Sequence, residues 1–119
     1  MQKLQLGKKG EDLALKYLRK KGYQYLDRNF RTSQGEIDLI FVDNKTLVFV
    51  EVKTRTGRQY GLPEEAVTLR KLNSIIKAGS RFKQLNSKLP DSLRIDVVAV
   101  EIKGKGCLNK IRHYKNVSL

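Results

Sequence analysis

Residues 35–55 read GEIDLIFVDNKTLVFVEVKTR, which is two apolar runs separated by the turn-forming residues 43–45. In the first run, acidic and apolar side chains alternate, a pattern typical of a strand whose two faces differ. The second run, residues 47–54, is rich in β-branched residues, which favour strands. The stretch therefore predicts a β-hairpin of two largely buried strands.

The segments outside this hairpin predict further helices and strands. Pro63 followed by Glu64 and Glu65 is typical of a helix start. The patterns predict helices at Lys3–Lys20 and at 63–85, strands at 23–31, 93–102 and 108–115, and a basic loop at 55–62. The order is helix, three strands, helix and one or two strands. We therefore expect one α/β domain over residues 1–119, with a mixed sheet flanked by helices.

The charge of the chain points to a polyanionic partner. Its 119 residues include 25 Lys and Arg against 12 Asp and Glu, a formal net charge of +13. Neutralising phosphates releases condensed counterions, so nucleic acid is the first candidate partner and an anionic membrane surface the second. A basic surface that serves only solubility is the third reading.

Other features exclude several classes of protein. The apolar runs are at most four residues long, whereas a membrane-spanning helix needs about 20. The N-terminus lacks the apolar stretch of a secretory signal. Cys107 and His113 are the only residues of their types, so neither an internal disulfide nor a usual zinc site is expected. We therefore expect a cytoplasmic protein that is not embedded in a membrane.

Two carboxylates interrupt the apolar runs of the hairpin. Asp38 and Glu51 lie 13 residues apart, and a buried carboxylate is costly unless it is paired or binds a metal. A loop of two or four residues places both on one face, whereas a three-residue loop separates them. Lys53 shares the face of Glu51. Glu36 joins this face as an auxiliary acid or, in the reading we favour, as the exposed partner of a lysine.

The first helix adds a third acidic side chain. At about 100° per residue, Glu11 falls in the apolar arc of the helix, and Gly7 one turn earlier leaves room beside it. Convergent carboxylates repel one another unless a cation joins them, and oxygen ligands suit Mg²⁺ or Mn²⁺. Such an ion polarises phosphoryl oxygens and activates water, while a neighbouring lysine orients that water. The sequence therefore predicts metal-dependent phosphodiester hydrolysis.

The pattern resembles known nucleases. Asp38 followed by Glu51-Val52-Lys53 is similar to the PD-(D/E)xK signature of restriction-endonuclease-like nucleases, and Glu11 resembles the helical glutamate that many of them add. The strings RNFR at 28–31, GEIDLI at 35–40, FVEVKTR at 49–55 and RIDVV at 94–98 resemble the bacterial YraN-like family, which is grouped with endonuclease-like folds. The match covers nearly the whole chain.

The resemblance implies a restriction-endonuclease-like core and a role for each site residue. Asp38, Glu51 and the backbone carbonyl of Val52 would hold Mg²⁺ or Mn²⁺. Glu11 would complete the site directly or through water, and Lys53 would position the nucleophilic water. DNA is expected before RNA as substrate. Similarity to archaeal Holliday-junction resolvases implies a symmetric homodimer that acts on branched DNA.

The sequence departs from related motifs at two places. Ile37 stands where the signature has proline, which is often dispensable. Gln59 and Tyr60 are adjacent, whereas RecB-type nucleases carry Gln-x-x-x-Tyr, so this subgroup is disfavoured. The predicted phosphate contacts flank the candidate site and are Arg28, Arg31, Thr54, Arg55 and Arg58.

A second Glu-x-Lys triplet, Glu101-Ile102-Lys103, serves as an internal comparison. Its nearest upstream carboxylate, Asp96, lies five residues away on the same predicted strand and therefore on the other face. Arg94 and Asp96 share a face and predict an ion pair. Three functions stay open: an endonuclease, a noncatalytic nucleic-acid-binding module on a nuclease fold, and a basic protein that binds a protein or a membrane.

Overall fold

The computed structural model describes residues 2–57, 61–104 and 106–117. Its elements, in chain order, are α1 (Lys3–Lys20), β1 (Gln24–Thr32), β2 (Gly35–Asp43), β3 (Thr46–Arg55), a 3₁₀ helix (Pro63–Ala66), α2 (Leu69–Leu85), β4 (Ser92–Ile102) and β5 (Leu108–Tyr114). The predicted order of elements is confirmed, and the fifth strand is present. No helix within the described ranges is long and apolar enough to cross a membrane.

The five strands form one open sheet in the order β1-β2-β3-β4-β5. β1, β2 and β3 are antiparallel neighbours, β3 and β4 run parallel, and β4 and β5 are antiparallel. A parallel pair needs a long crossover connection, which the 3₁₀ helix and α2 supply. The prediction of a mixed sheet flanked by helices is confirmed.

Each α-helix covers one face of the sheet. Leu18 of α1 packs in a core with Val50 of β3. Ile75 of α2 packs in a second core with Phe49, the neighbouring residue on the same strand. Because both faces are buried, the central strands are apolar almost without interruption.

The second helix begins later than predicted. Pro63 starts a 3₁₀ helix that ends at Ala66. α2 starts at Leu69, after Thr68, whose side-chain oxygen accepts a hydrogen bond from the backbone N–H of Lys71 at 3.1 Å. Threonine is a favoured residue at this capping position. The prediction of one continuous helix from Pro63 was therefore wrong.

The acidic residues that suggested the earlier start make a tertiary contact instead. Arg112 of β5 donates hydrogen bonds to both carboxylate oxygens of Glu64 at 2.6 and 2.7 Å, and to Glu101 of β4 at 2.5 Å. The hydrogen bonds from Arg112 lower the pKa of Glu64 to about 2, and burial acts in the opposite direction. This cluster ties the 3₁₀ helix to β4 and β5.

A buried polar cluster lies around Asp96 of β4, which is fully buried. Arg94 Nε lies 3.0 Å from Asp96 Oδ1, so the predicted ion pair is confirmed. His113 Nε2 lies 2.7 Å from Asp96 Oδ2, and the backbone N–H of Asn116 donates to Oδ1 at 3.0 Å. Burial acts to raise the pKa of Asp96, but hydrogen bonds from His113 and Arg94 outweigh it and lower that pKa to about 2. His113, the only histidine of the sequence, belongs to this cluster.

α1 approaches β3 closely at Gly10. A Cβ atom at this position would lie 1.9 Å from the Thr54 hydroxyl oxygen and 2.8 Å from its methyl carbon. At Gly7, the glycine that the sequence suggested, a Cβ would have no neighbour within 4 Å. Gly10 therefore sets the distance between the helix and the strand, and it directly precedes Glu11.

Gly10→Ala is expected to lower the free energy of unfolding by about 1–3 kcal/mol, the usual cost of overpacking. Gly7→Ala is the matched control in the same helix, and it should raise stability by about 0.5–1 kcal/mol because alanine is the better helix former. Urea unfolding of both variants measures the difference. A Gly10→Ala protein as stable as Gly7→Ala would contradict the close packing.

Candidate functional site

The β2–β3 hairpin brings Asp38 and Glu51 together. A two-residue turn joins the strands, and their register ends at the pair Leu39 and Val50. At the next position, Asp38 Oδ2 accepts a hydrogen bond from the backbone N–H of Val52 at 2.8 Å. At the end of the paired strands, the Asp38 carboxylate therefore accepts the hydrogen bond that a backbone carbonyl would otherwise accept. Asp38 lies beside Glu51, as the loop length predicted.

The Glu51 carboxylate is buried and incompletely satisfied. Its side chain is 4% exposed, and Lys71 Nζ of α2 lies 3.4 Å from Oε2. This is ion-pair distance without hydrogen-bond geometry, and Oε2 has no hydrogen-bond partner among the described residues. Burial, followed by the neighbouring Asp38 carboxylate, raises the pKa of Glu51, and the charges of Lys71 and Lys53 oppose this only in part. A cation between the two carboxylates would give Glu51 Oε2 a partner and would offset the repulsion between the two negative charges.

Lys71 was missed by the sequence analysis. Arg70 and Lys71 lie in the first turn of α2, which contains no acidic residue. Cations are unfavourable there because the N-terminal end of a helix is itself positive. Two basic residues at this position therefore indicate partners outside the helix, and Glu51 is such a partner for Lys71.

Glu11 reaches the site from α1 but is already paired. Arg28 of β1 donates to Glu11 Oε1 at 3.2 Å and to Asp12 Oδ1 at 2.9 Å. Burial raises the pKa of Glu11; the hydrogen bond from Arg28 opposes the rise, and the charge of Asp38 adds to it. Glu11 thus lies within electrostatic range of Asp38. Even so, no three Asp, Glu, His or Cys residues converge as a ligand set within the described chain.

Lys53 lies two residues after Glu51 on β3 and is half-buried. Its charge acts to lower the pKa of Glu51, which places the ammonium within electrostatic reach of the carboxylate pair. No described residue forms an ion pair with Lys53. Within the described part of the chain, what links Lys53 to the site is its charge.

The predicted phosphate contacts occupy different environments. Arg28 is held by the two acidic side chains of α1. Thr54 is buried beside Gly10, so it packs the helix against the strand. Arg55 Nη1 donates to the carbonyl oxygen of Thr54 at 2.9 Å. Arg58 lies outside the described residues, as do the adjacent Gln59 and Tyr60.

Arg31 lies at the surface, with a side chain that is 75% exposed. Its Nε atom lies 2.8 Å from Glu36 Oε2, across the β1–β2 pair. The surface partner predicted for Glu36 is therefore an arginine and not a lysine.

α2 provides a basic surface that the sequence analysis did not single out. The helix carries five basic residues, Arg70, Lys71, Lys77, Arg81 and Lys83, and no acidic residue. Lys83 is held by Asp91 and by carbonyl oxygens of the following turn, so the other four form the basic surface. Two of them, Lys77 and Arg81, line a groove together with Arg31 of β1 and Gln34 of the β1–β2 turn. Lys71, at one end of this basic surface, contacts Glu51 of the carboxylate pair. Lys77 and Arg81, at the other end, line the groove.

Comparisons with known proteins give a consistent result. The family model "Uncharacterised protein family UPF0102" matches residues 10–100, a range that includes both carboxylates and Lys71. A UPF0102 protein of Syntrophomonas wolfei is 44% identical over 108 residues, which cover 90% of this chain and 94% of that protein. One of Geobacter metallireducens is 44% identical over 111 residues, covering 93% and 89%. One of Desulforamulus reducens is 40% identical over 118 residues, covering 98% and 97%.

Proposed function

We propose a function for this chain from the premise that it belongs to the uncharacterised protein family UPF0102, which confirms the YraN-like family predicted from the sequence. The protein is a metal-dependent endonuclease that hydrolyses phosphodiester bonds, acting on DNA in preference to RNA. In this proposal, the mixed sheet and the two helices form a restriction-endonuclease-like core.

The observation that carries the proposal is the orphaned Oε2 atom of Glu51 beside the Asp38 carboxylate. Two neighbouring carboxylates in a buried place fit a divalent cation with oxygen ligands, Mg²⁺ or Mn²⁺. Asp38, Glu51 and the backbone carbonyl of Val52 would hold it, with Glu11 contributing through water. When bound, the ion would polarise a phosphoryl oxygen and lower the pKa of bound water.

The residues around the carboxylates supply the rest of the chemistry. Lys53 donates a hydrogen bond that orients the attacking water and counters the negative charge that develops on the phosphate. The basic surface of α2, together with Arg31 and Arg55, binds the nucleic-acid backbone, in keeping with a net charge of +13. Branched DNA and a homodimer, both implied by the resemblance to resolvases, belong to this proposal.

The pairing of Glu11 with Arg28 favours a second candidate function. A glutamate that is neutralised by an arginine 3.2 Å away is less available to a metal. The same fold would then be a noncatalytic nucleic-acid-binding module. The cleavage experiment in the Discussion separates the two candidates.

Wild-type protein is expected to bind Mn²⁺, and Asp38→Asn and Glu51→Gln should each weaken that binding at least about tenfold, because each removes an anionic ligand with little change in shape. Isothermal titration calorimetry measures the affinities. Glu36→Gln is the matched control, since Glu36 is paired with Arg31 and should leave Mn²⁺ affinity unchanged. Equal binding by all four proteins would remove the metal site.

A further inference from the structure

Lys71 occupies the position where the proposed cation would neutralise Glu51. Its ammonium lies 3.4 Å from the orphaned Oε2. We propose that Lys71 is an exchangeable counter-ion: the divalent metal displaces it from Glu51, and the released ammonium then binds a phosphate of the nucleic acid. This inference rests on the proposed function and adds a residue that couples metal binding to nucleic-acid binding.

Two features of the contact between Lys71 and Glu51 favour replacement of the ammonium by a metal ion. It lacks hydrogen-bond geometry, and the Lys71 side chain is 31% exposed. Arg94 and Asp96, by contrast, are joined by hydrogen bonds at 3.0 and 3.3 Å around a fully buried carboxylate. A lysine ammonium is a compact, strongly hydrated charge on a flexible stem, so it can leave a partly exposed site readily.

The backbone of Lys71 is anchored, whereas its side chain is partly exposed. The backbone N–H donates to the Thr68 side chain at 3.1 Å, which anchors the first turn of α2. A displaced ammonium therefore stays close to the site, within the reach of one side chain. A metal ion and an ammonium on one carboxylate oxygen would repel each other, because like charges at about 4 Å interact strongly away from bulk water.

The surface around Lys71 suits a phosphate as the second partner. Arg70 is its neighbour in the same turn, and Lys77 and Arg81 continue along a helix that carries no acidic residue. A nucleic-acid backbone that crosses this surface would place phosphates near the released ammonium. Metal and nucleic acid should therefore bind with positive coupling, and thermodynamic linkage makes that coupling reciprocal.

The test measures binding and not cleavage. Affinity for a fluorescent four-way junction made of phosphorothioate DNA is measured by anisotropy in EDTA and in Mn²⁺ at constant ionic strength, and Mn²⁺ affinity is measured without DNA. Wild type should bind the junction about fivefold or more tightly in Mn²⁺. Lys71→Met should bind Mn²⁺ more tightly than wild type in the absence of DNA, and its coupling should fall to about half the wild-type value or less, since only contact of the ion itself with phosphate then remains.

Lys88→Met is the matched control, because Lys88 is exposed in the turn that follows α2 and lies outside the contacts of Glu51. It should keep the wild-type coupling. Lys71→Gln provides a second variant, and thermal melting of each protein verifies folding. Wild-type coupling in both Lys71 variants, or weaker Mn²⁺ binding by both, would overturn the exchange while leaving the metal site intact. A wild type that binds no Mn²⁺ would overturn the proposed function and the exchange together.

Discussion

Lys53→Ala is expected to reduce Mn²⁺-dependent DNA cleavage by about 10²-fold or more, the usual contribution of a group that stabilises charge in the transition state. The affinity for Mn²⁺ should stay near that of wild type, because Lys53 is not a metal ligand in the proposed site. The counter-ion of Glu51 is Lys71, and Lys53 is engaged in no ion pair with a described residue. Lys53→Ala should therefore also melt close to wild type.

The measurement uses linear, flapped and four-way DNA substrates with Mn²⁺, together with thermal melting of each protein. Lys103→Ala is the matched control: it changes the lysine of the other Glu-x-Lys triplet, which is exposed at the end of β4. It should cleave like wild type. A wild type that cleaves none of these substrates, alongside a Lys53→Ala protein that melts far below it, would favour the noncatalytic module.

Asp96→Asn is expected to lower the free energy of unfolding at pH 7 by about 3–5 kcal/mol, the typical cost of breaking a buried ion pair. Asp96 is fully buried, and its two oxygens lie within hydrogen-bond distance of Arg94, His113 and the backbone N–H of Asn116. The neutral amide removes the buried anion of Arg94, which then keeps only the partly buried Asp43, 2.9 Å away, as its ion-pair partner. Guanidinium unfolding measures the change.

The pH dependence of this effect has a definite sign. The folded protein lowers the pKa of Asp96 from 3.8 to about 2. The ionised carboxylate therefore contributes stability that is fully present above pH 4 and is lost as the pH falls towards 2. The difference between wild type and Asp96→Asn should shrink over that interval. Asp91→Asn, a change at a carboxylate that is 98% exposed, should alter stability by less than about 1 kcal/mol; an equal loss in both variants would contradict the assignment.

Periodic patterns predicted the features that depend on one element or one hairpin. Strand parity and loop length placed Asp38 and Glu51 on one face, and the two-residue turn meets that condition. Helical phase placed Glu11 towards the sheet, and Glu11 lies within electrostatic range of Asp38. These predictions succeeded because side-chain direction repeats regularly along a strand or a helix.

Contacts between layers could not be predicted in this way. Lys71 and Glu51 lie on a helix and a strand that no local pattern relates, and Asp96 and His113 meet across two strands. The start of α2 was misplaced for the same reason: Pro63 and the following glutamates satisfy the local rules for a helix start, while Glu64 is engaged by a distant arginine. Tertiary contacts override local preference at such places.

In the proposed metal site, the hydrogen bond from the Val52 backbone to Asp38 would affect ion selectivity. One oxygen of this carboxylate, Oδ2, is engaged in closing the sheet at 2.8 Å. A cation that took both oxygens would compete with that strand contact, whereas one that took a single oxygen would leave it intact. Ca²⁺ readily accepts bidentate carboxylates, with metal–oxygen distances of about 2.3–2.6 Å. Mg²⁺ requires near-octahedral geometry with metal–oxygen distances of about 2.0–2.1 Å, and it is usually bound by one or two carboxylates and by water. The end of the ladder would thereby discriminate against calcium through the geometry of one side chain.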